Sequence, residues 1–339
     1  MQNLMEKYQL KLQPCGKWTK ANLYNHLQAA VDLEFWTVPY YLTAYYSIVD
    51  QSTTVARLIR TVANQEMLHV QLATNLANAF GLTPSFGVPD YKDGSIPHLN
   101  FAIDHPDPRK VYHPYSADLG AFDLARINTM CLVEYPDWSG GPNSEYNPNK
   151  TEYGSIGDFY AALYLGVQEL AHLIKGNRNQ NDSFKRFYPQ MQTLTITEDG
   201  IDGLPQARYL INAIVEQGEG LNKVIDRVPP AFQNQVDDLE PSWDHFRKFS
   251  YIREHSDIWP QVYQAKEAPK SPLNLTLNKT FAGFREILEG KGDGDAFYPL
   301  MVKLGADMLS CWQGGVIPDF GTPAKVKSKK RAQETALEK

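Results

Sequence analysis

The residues best suited to chemistry in this chain are acidic and imidazole side chains at helical spacing. Glu66 and His69 stand three residues apart, and Glu34 lies in the preceding amphipathic segment. Positions three apart on an α-helix point the same way, and the other members of both stripes are apolar. Buried carboxylates are rare unless they are paired or bind a metal. The three residues therefore predict one half of a site that holds two iron or manganese ions inside a helix bundle.

Two sets of residues could complete this site. Glu169 and His172 repeat the Glu-x-x-His spacing on a segment that begins near Ser155. The other set comprises Glu134, Glu219 and His245.

Helix direction favours the second set. Glu219 lies at the C-terminal end of its predicted helix and His245 at the start of the next, so antiparallel packing places both at one level. The helix from Ser155 should run antiparallel to the one that carries Glu219, so its start, beside Glu134, approaches Glu219. The second Glu-x-x-His motif then lies at the far end. The predicted metal ligands are Glu34, Glu66, His69, Glu134, Glu219 and His245.

Glu216 competes with Glu219 for the same role. The apolar face of their helix is formed by Ala207, Leu210, Ile211, Ile214 and Gly218. At 100° per residue Glu219 borders this face, whereas Glu216 points nearly opposite. Glu219 is therefore the preferred ligand, with Glu216 as the alternative. The tyrosines that follow Glu34 on its helix are candidates to line a substrate pocket: Tyr40, Tyr41, Tyr45 and Tyr46.

Composition bounds the class of protein. The chain has 339 residues, 42% of them hydrophobic, and a formal net charge of −6. That balance suits a globular core and gives no support to nucleic-acid binding. The three cysteines lack the spacing of a metal or redox motif, which is typical of a reducing cytoplasm. With no apolar run long enough for a membrane and no secretory signal, we expect a cytoplasmic protein.

Hydrophobic periodicity predicts an all-α bundle with extra helices towards the C-terminus. A proline-rich irregular stretch over 82–115 predicts a long crossover or binding loop. The predicted helices are 20–49, with a kink at Pro39, then 52–80, 118–133, 155–175, 205–221, one from 241, 277–288 and 296–312. The chain is thus divided into an N-terminal extension (1–20), one helical domain (21–321) and a basic, disordered tail (322–339).

Several motifs follow one another in the order found in a known family. The segment from Glu34 to Ile48, EFWTVPYYLTAYYSI, resembles that family's first helix, and the segment from Glu66 to Gly81 its second. Four shorter motifs follow: 132–136, 155–160, 214–220 and 244–249. Over about 23–306 the chain resembles the ferritin-like family of the iminophenylpyruvate dimer synthase type, which includes domains of bisindole pigment enzymes. It departs at Gln65, where the family usually has an acidic residue, and at Asp244-His245-Phe246, where Ser-His-Tyr is more usual.

The resemblance implies a ferritin-like helix bundle and an oxidoreductase of specialised metabolism. Carboxylate and imidazole ligands suit iron or manganese. We expect two iron ions, with manganese or a single ion as alternatives, and O2 as a cosubstrate. The expected substrate is a small, amino-acid-derived aromatic metabolite, and oxidative coupling of imino acids is one candidate reaction. A non-catalytic ferritin-like metal-binding or scaffold protein is the alternative from another class. Expected partners are a second copy of the chain or a partner enzyme of a biosynthetic pathway, with no nucleic acid and no membrane.

Overall fold

A computed structural model describes residue 10, 17–91, residue 96, 108–136, residue 153, 155–218, 238–265, 271–291 and 296–321. Over these ranges the regular structure is helical, with an isolated antiparallel bridge between Ile48 and Val262. The α-helices are α1 (Lys20–Tyr46), α2 (Thr54–Ala79), α3 (Leu124–Val133), α4 (Ile156–Glu169), α5 (Gly200–Gly218), α6 (His245–Glu254), α7 (Pro272–Leu288) and α8 (Phe297–Gln313). The predicted all-α architecture is confirmed. The predicted C-terminal tail lies outside the described residues.

The first two helices form the centre of the bundle. Thr19 and Thr53 begin them, because each threonine side chain accepts a hydrogen bond from a backbone N–H of the first turn. Both helices are buried over most of their circumference. The hydroxyl of Tyr24, near the start of α1, donates to the carbonyl of Phe80, just after α2. The two helices are therefore antiparallel neighbours.

A second antiparallel pair, α4 and α5, packs beside them. Ser155 caps α4 by accepting a hydrogen bond from the N–H of Asp158 at 3.0 Å, as the sequence predicts. Arg208, in the first half of α5, donates to Gln168 near the end of α4 at 2.7 Å. The start of α4 consequently lies level with the end of α5.

Several predicted boundaries are wrong by a few residues. Helix α1 ends at Tyr46 rather than 49, and α4 ends at Glu169, with a 3-10 turn over Ala171–Leu173 in place of a further α-helical turn. Helix α3 begins at Leu124 rather than 118, because the side chain of Asp123 caps it by accepting a hydrogen bond from the backbone N–H of Arg126. Helix α5 begins at Gly200, before the predicted start at Pro205. A proline this early in a helix removes only one internal hydrogen bond, so it does not mark the boundary.

The C-terminal helices cover one side of the bundle. Asp244 caps α6 by accepting from the N–H of Arg247, and Ser271 caps α7. Helices α7 and α8 pack on each other, and the indole of Trp312 in α8 donates to the carbonyl of Thr43 in α1 at 3.0 Å. Among the described helices, none is long and apolar enough to cross a membrane.

Candidate metal centre

Three side chains from two distant parts of the chain meet in the bundle interior. Glu66 and His69 lie one turn apart on α2, and His245 is the first residue of α6. One donor atom from each of these residues lies within 4.8 Å of the other two. All three residues are buried, with His245 completely enclosed. The arrangement offers two imidazoles and a carboxylate to one point.

Two further carboxylates extend this cluster on either side. The Oε2 atom of Glu34, on α1, lies 3.4 Å from Nδ1 of His69. The Oε2 atom of Glu134, which caps the C-terminal end of α3, lies 3.5 Å from Nδ1 of His245. Both carboxylates are 2% exposed. The two imidazole rings are stacked with their centroids 5.3 Å apart, so the cluster has two similar halves.

The structure also locates the competing residues. Glu169 accepts a hydrogen bond from the N–H of Trp18 at 3.2 Å, and His172 is exposed, so the second Glu-x-x-His motif does not reach the cluster. Helix α5 turns Ile214, Val215 and Gly218 towards the cluster. Glu216 is buried but is not among the residues that line the central cavity. Glu219, which follows Gly218 directly, lies outside the described residues.

Each of the three carboxylates has one oxygen held by a hydroxyl group. Tyr160 of α4 donates to Oε1 of Glu34 and Tyr41 of α1 donates to Oε1 of Glu134, both at 2.5 Å. Thr37 lies 2.8 Å from Oε2 of Glu66 and can donate to it. The other oxygen of each carboxylate faces the histidines. The hydroxyl groups therefore orient the carboxylates and leave one oxygen of each directed at the centre.

Of the tyrosines that the sequence places after Glu34, Tyr41 is the one that contacts the cluster. The hydroxyl of Tyr40 instead donates to the carbonyl of Ser116, and that of Tyr45 to Gln51. Tyr46 packs with its hydroxyl against Gly305 of α8. The four candidates therefore differ, because successive positions on a helix point in different directions, and three of them pack away from the cluster.

The outer nitrogen of each histidine is held by a glutamine. Nε2 of His69 lies 2.8 Å from Oε1 of Gln217 on α5, and Nε2 of His245 lies 3.0 Å from Oε1 of Gln65 on α2. A glutamine oxygen only accepts hydrogen bonds, so both histidines carry a proton on Nε2. Their Nδ1 atoms are the ones that face the carboxylates.

Burial and mutual charge shift the pKa values of the cluster strongly. Burial raises the pKa of Glu34 to about 7, against the opposing effect of His69. Burial lowers the pKa of His69, but Glu66 and Glu34 outweigh it and raise the net value to about 10. Burial likewise raises the pKa of Glu66, and here the two histidines outweigh it, so the net value falls well below the usual range. The buried carboxylates are thus stabilised in their charged form by positive charge, either from protons on the two imidazoles or from an ion bound between them.

A metal ion fits this requirement better than protons alone. Nδ1 of His245 lies 2.7 Å from Oε1 of Glu66, yet the pair lacks hydrogen-bond geometry, and Nδ1 has no hydrogen-bond partner among the described residues. The donor atoms all lie within 4.8 Å of one another, so small side-chain movements would bring them to a common ion with ligand bonds of roughly 2 Å.

The space between these residues is small. Its volume is about 10 Å³, near the lower limit for a single water molecule. Three of its walls are the carboxylates, and the others are His69 and the apolar or glycine residues Ile156, Gly157, Ile214, Val215 and Gly218. The cavity thus has a charged side, formed by α1, α2 and α3, and an uncharged side, formed by α4 and α5.

Sequence reasoning missed the glutamine partners, although a signal for them exists. Gln217 follows Leu210 by seven residues and Ile214 by three, so it lies on the apolar face of α5. Gln65 likewise follows Leu58 by seven and Val62 by three. A polar residue in the middle of an apolar face needs a buried partner. Tyr160 carries no comparable signal, because an aromatic residue on a buried face is ordinary core.

Comparison with known proteins agrees with this architecture. The sequence pattern of the ferritin-like family matches residues 27–254, well over half of the chain. A crystal structure of a ferritin-like protein from Caulobacter vibrioides shares 40% sequence identity and a TM-score of 0.76, and the match covers 91% of this chain and 100% of that one. No curated protein matches the chain. The predicted ferritin-like helix bundle is confirmed.

Proposed function

The chain belongs to the ferritin-like family, and we propose that it is a non-haem, metal-dependent oxidoreductase with iron bound in the buried cluster. The proposed centre holds two iron ions and uses O2 as a cosubstrate. Bound iron would supply the electrons that reduce O2 and the oxidising power for an organic substrate. The proposed ligands are Glu34, Glu66, His69, Glu134, Glu219 and His245.

One observation carries this proposal. The Nδ1 atoms of His69 and His245 and the Oε1 atom of Glu66 converge in the interior, and the closest pair, at 2.7 Å, is not a hydrogen bond. Leaving several carboxylates and imidazoles in a low-dielectric interior costs several kcal/mol per ion unless other charges compensate them. A divalent cation compensates the carboxylates and uses the lone pairs of both imidazoles.

The types of ligand favour iron or manganese over other metals. Carboxylate oxygens and imidazole nitrogens suit these ions, whereas copper(I) and structural zinc sites generally use thiolates. The buried cysteines Cys131 and Cys311 are free thiols outside the donor cluster. Two ions, rather than one, are favoured by the near-symmetry of the cluster, in which one carboxylate, Glu66, lies between two carboxylate–histidine pairs.

The chain's own residues would then position the ligands and exclude water. Tyr160, Tyr41 and Thr37 fix the carboxylates, and the burial of the cluster leaves little room for solvent. We propose that the organic substrate binds on the uncharged side, against the apolar surface of Ile156, Ile214 and Val215, and that these side chains move apart to admit it, since the cavity itself holds about one water molecule. A small aromatic metabolite derived from an amino acid suits such a surface, and oxidative coupling of imino acids is the more specific reaction proposed.

Anaerobic loading with Fe(II), followed by O2, tests the proposal. We expect the protein to bind about two iron ions, measured by elemental analysis after desalting, and to consume O2. We expect a panel of aromatic amino and imino acids to contain a compound that accelerates this consumption and yields an oxidised product. Glu66→Ala should abolish both iron binding and O2 consumption.

The second Glu-x-x-His motif provides a matched control. Glu169→Ala and His172→Ala change the same residue types at the same spacing, but outside the cluster, and should leave bound iron unchanged. If Glu66→Ala retained both bound iron and O2 consumption, the proposed metal enzyme would be wrong. If iron bound but no compound were oxidised, the protein would instead be a metal-binding or scaffold member of the family.

A further inference from the structure

Gln65 occupies a position that requires both a hydrogen-bond donor and an acceptor. Its Oε1 atom lies 3.0 Å from Nε2 of His245, and its Nε2 donates to Oδ2 of Asp238 at 3.3 Å. An ionised carboxylate such as Asp238 can only accept. The residue between it and the imidazole N–H must therefore donate on one side and accept on the other, which a side-chain amide does and a carboxylate does not.

This arrangement also fixes the orientation of the amide. Rotating the Gln65 amide by 180° would place its oxygen against the carboxylate of Asp238 and its NH2 group against the Nε2–H of His245. Both contacts would then be repulsive. Asp238 therefore fixes the amide, and the amide in turn directs the imidazole of His245.

We propose that Gln65 and Asp238 are positioning residues that keep a proton on Nε2 of His245, so that Nδ1 is the ring nitrogen that binds the metal. The outer hydrogen bond of a metal-binding histidine decides which ring nitrogen is a ligand. Here the Nε2–H of His245 donates to the oxygen of a neutral amide, and the negative charge of Asp238 lies one residue further out. The inference rests on the proposed function, because it assigns Nδ1 of His245 as a ligand.

The other half of the cluster lacks this second anchor. Gln217 accepts from Nε2 of His69 in the same manner, at 2.8 Å, but its own NH2 group has no hydrogen-bond partner among the described residues. A carboxylate at position 217 would still accept the hydrogen bond from His69, and no other hydrogen bond would be lost, because the NH2 group that it replaces makes none among the described residues. A carboxylate at position 65 would keep the bond to His245 but would face Asp238. The same substitution should therefore have opposite consequences at the two positions.

The test compares Gln65→Glu with Gln217→Glu in the full-length chain. Zn²⁺ serves as a diamagnetic probe, with affinity measured by competition against a chelator. We expect Gln65→Glu to weaken Zn²⁺ binding about 10-fold or more, in the range found when outer partners of metal ligands are changed. We expect Gln217→Glu to bind within about threefold of the unsubstituted protein, or more tightly.

A double variant tests the assigned direction of the hydrogen bonds. In Gln65→Glu combined with Asp238→Asn, the new amide at position 238 can donate to the new carboxylate at position 65. We expect this pair to restore Zn²⁺ affinity to within about threefold of the original. A purely steric or folding defect would not be repaired by the second substitution. A double variant no better than Gln65→Glu, or a Gln65→Glu protein that binds Zn²⁺ normally, would overturn the proposal.

Asp238→Asn alone provides a readout that requires no metal and removes no buried side chain. Nitrogen-15 spectra of the histidine rings in the metal-free protein should show a protonated Nε2 on His245. In Asp238→Asn the amide at position 238 can pair with the Gln65 amide in either orientation, so the orientation of Gln65 is no longer fixed by a carboxylate, and the His245 signals should shift or split while those of His69 stay in place. Unchanged His245 signals would contradict the positioning role. If the unsubstituted protein failed to bind Zn²⁺ or Fe(II) while the His245 signals shifted as expected, the proposed function alone would fail.

Discussion

Oε1 of Glu66 lies 2.7 Å from Nδ1 of His245, closer than any other carboxylate–histidine contact of the cluster, yet the two atoms are not hydrogen-bonded. The two residues come from helices α2 and α6, far apart in the sequence. Their approach is stabilised from outside, because Thr37 contacts the other oxygen of Glu66 and Gln65 accepts from the other nitrogen of His245. Neighbouring side chains therefore hold both atoms in place.

Metal binding should strengthen as the pH rises. In the metal-free protein burial lowers the pKa of His69, but Glu66 and Glu34 outweigh it and raise the pKa to about 10, so this imidazole is protonated at neutral pH. The pKa of His245 is raised for the same reason by Glu134 and Glu66. A metal must displace those protons. We expect affinity for Mn²⁺ or anaerobic Fe(II) to increase between pH 6 and pH 8 by about tenfold per pH unit for each proton released.

Calorimetry in buffers of different ionisation enthalpy would count these protons directly. The His172→Ala variant controls for protons released elsewhere, since His172 is exposed and outside the cluster. An affinity that stayed constant from pH 6 to pH 8, with no proton release, would contradict the assignment of the two histidines as ligands.

Adjacent tyrosines on α1 allow a matched test of carboxylate orientation. Tyr41 donates to Oε1 of Glu134 at 2.5 Å, whereas Tyr40 donates to the carbonyl of Ser116. Both are fully buried, so each Tyr→Phe change removes one buried hydroxyl. A hydrogen bond to a charged group contributes about 1.5–3 kcal/mol, so Tyr41→Phe should weaken metal binding by about tenfold or more.

Tyr40→Phe should lower thermal stability without changing metal affinity. Chelator competition and thermal unfolding, measured on both variants, separate the two effects. Equal losses of affinity in the two variants would show that the hydroxyl of Tyr41 has no specific role at the cluster.

The helical period locates part of the site from sequence alone. Glu34, Glu66 and His69 interrupt apolar stripes, and a buried charge on such a stripe needs a partner whatever the tertiary structure. Glu134 and His245 required an additional inference about helix direction, and the structure brings both to the cluster. The fold was predictable for the same reason, since long amphipathic segments with clear caps define helices that short linkers then pair.

The remaining features depend on tertiary contacts that periodicity does not report. Tyr160 reaches Glu34 from α4, and Gln217 reaches His69 from α5, because of how the two helix pairs pack. The predicted start of α5, Pro205, lies five residues after the observed start at Gly200. Such partners are specified by distances between helices, which the sequence of each helix does not contain.

Gly218 leaves open the space next to Glu134. A Cβ atom added there would lie 3.6 Å from Oε2 of Glu134, which is ordinary van der Waals contact, so Gly218→Ala should fold normally. The methyl group would project into a cavity of about 10 Å³. Because displacing reacting groups by about 1 Å can reduce rates about 100-fold, we expect iron oxidation by O2 to slow by at least about tenfold.

Gly283→Ala is the control for Gly218→Ala. It also adds a methyl group to a helix at an ordinary contact distance, 3.8 Å from Leu300, but on α7 rather than beside the cluster. Stopped-flow measurement of iron oxidation should show normal rates for this variant. Normal rates in Gly218→Ala as well would mean that the space beside Glu134 is not used in the reaction.

His26 should make the metal-free protein sensitive to acid independently of the cluster. It is fully buried, its Nδ1–H donates to the carbonyl of Asn22, and its Nε2 accepts from the hydroxyl of Tyr153. Burial lowers the pKa of His26 to about 4, against the raising effect of the Asn22 bond. The folded state thus favours neutral His26, and the unfolded chain takes up a proton at higher pH. Neutral His26 therefore contributes to the stability of the folded protein. This contribution is complete above about pH 6.5, the pKa of histidine in the unfolded chain, and is lost as the pH falls towards 4.

The expected loss from this group is about 3 kcal/mol between pH 7 and pH 4, because each pKa unit corresponds to about 1.4 kcal/mol. His26→Gln keeps a donor and an acceptor but does not titrate in this range. Urea unfolding of the metal-free protein should therefore show a free energy of unfolding that falls by about 3 kcal/mol more in the unsubstituted protein than in His26→Gln. Parallel pH dependences in the two proteins would show that His26 is not held neutral by its burial.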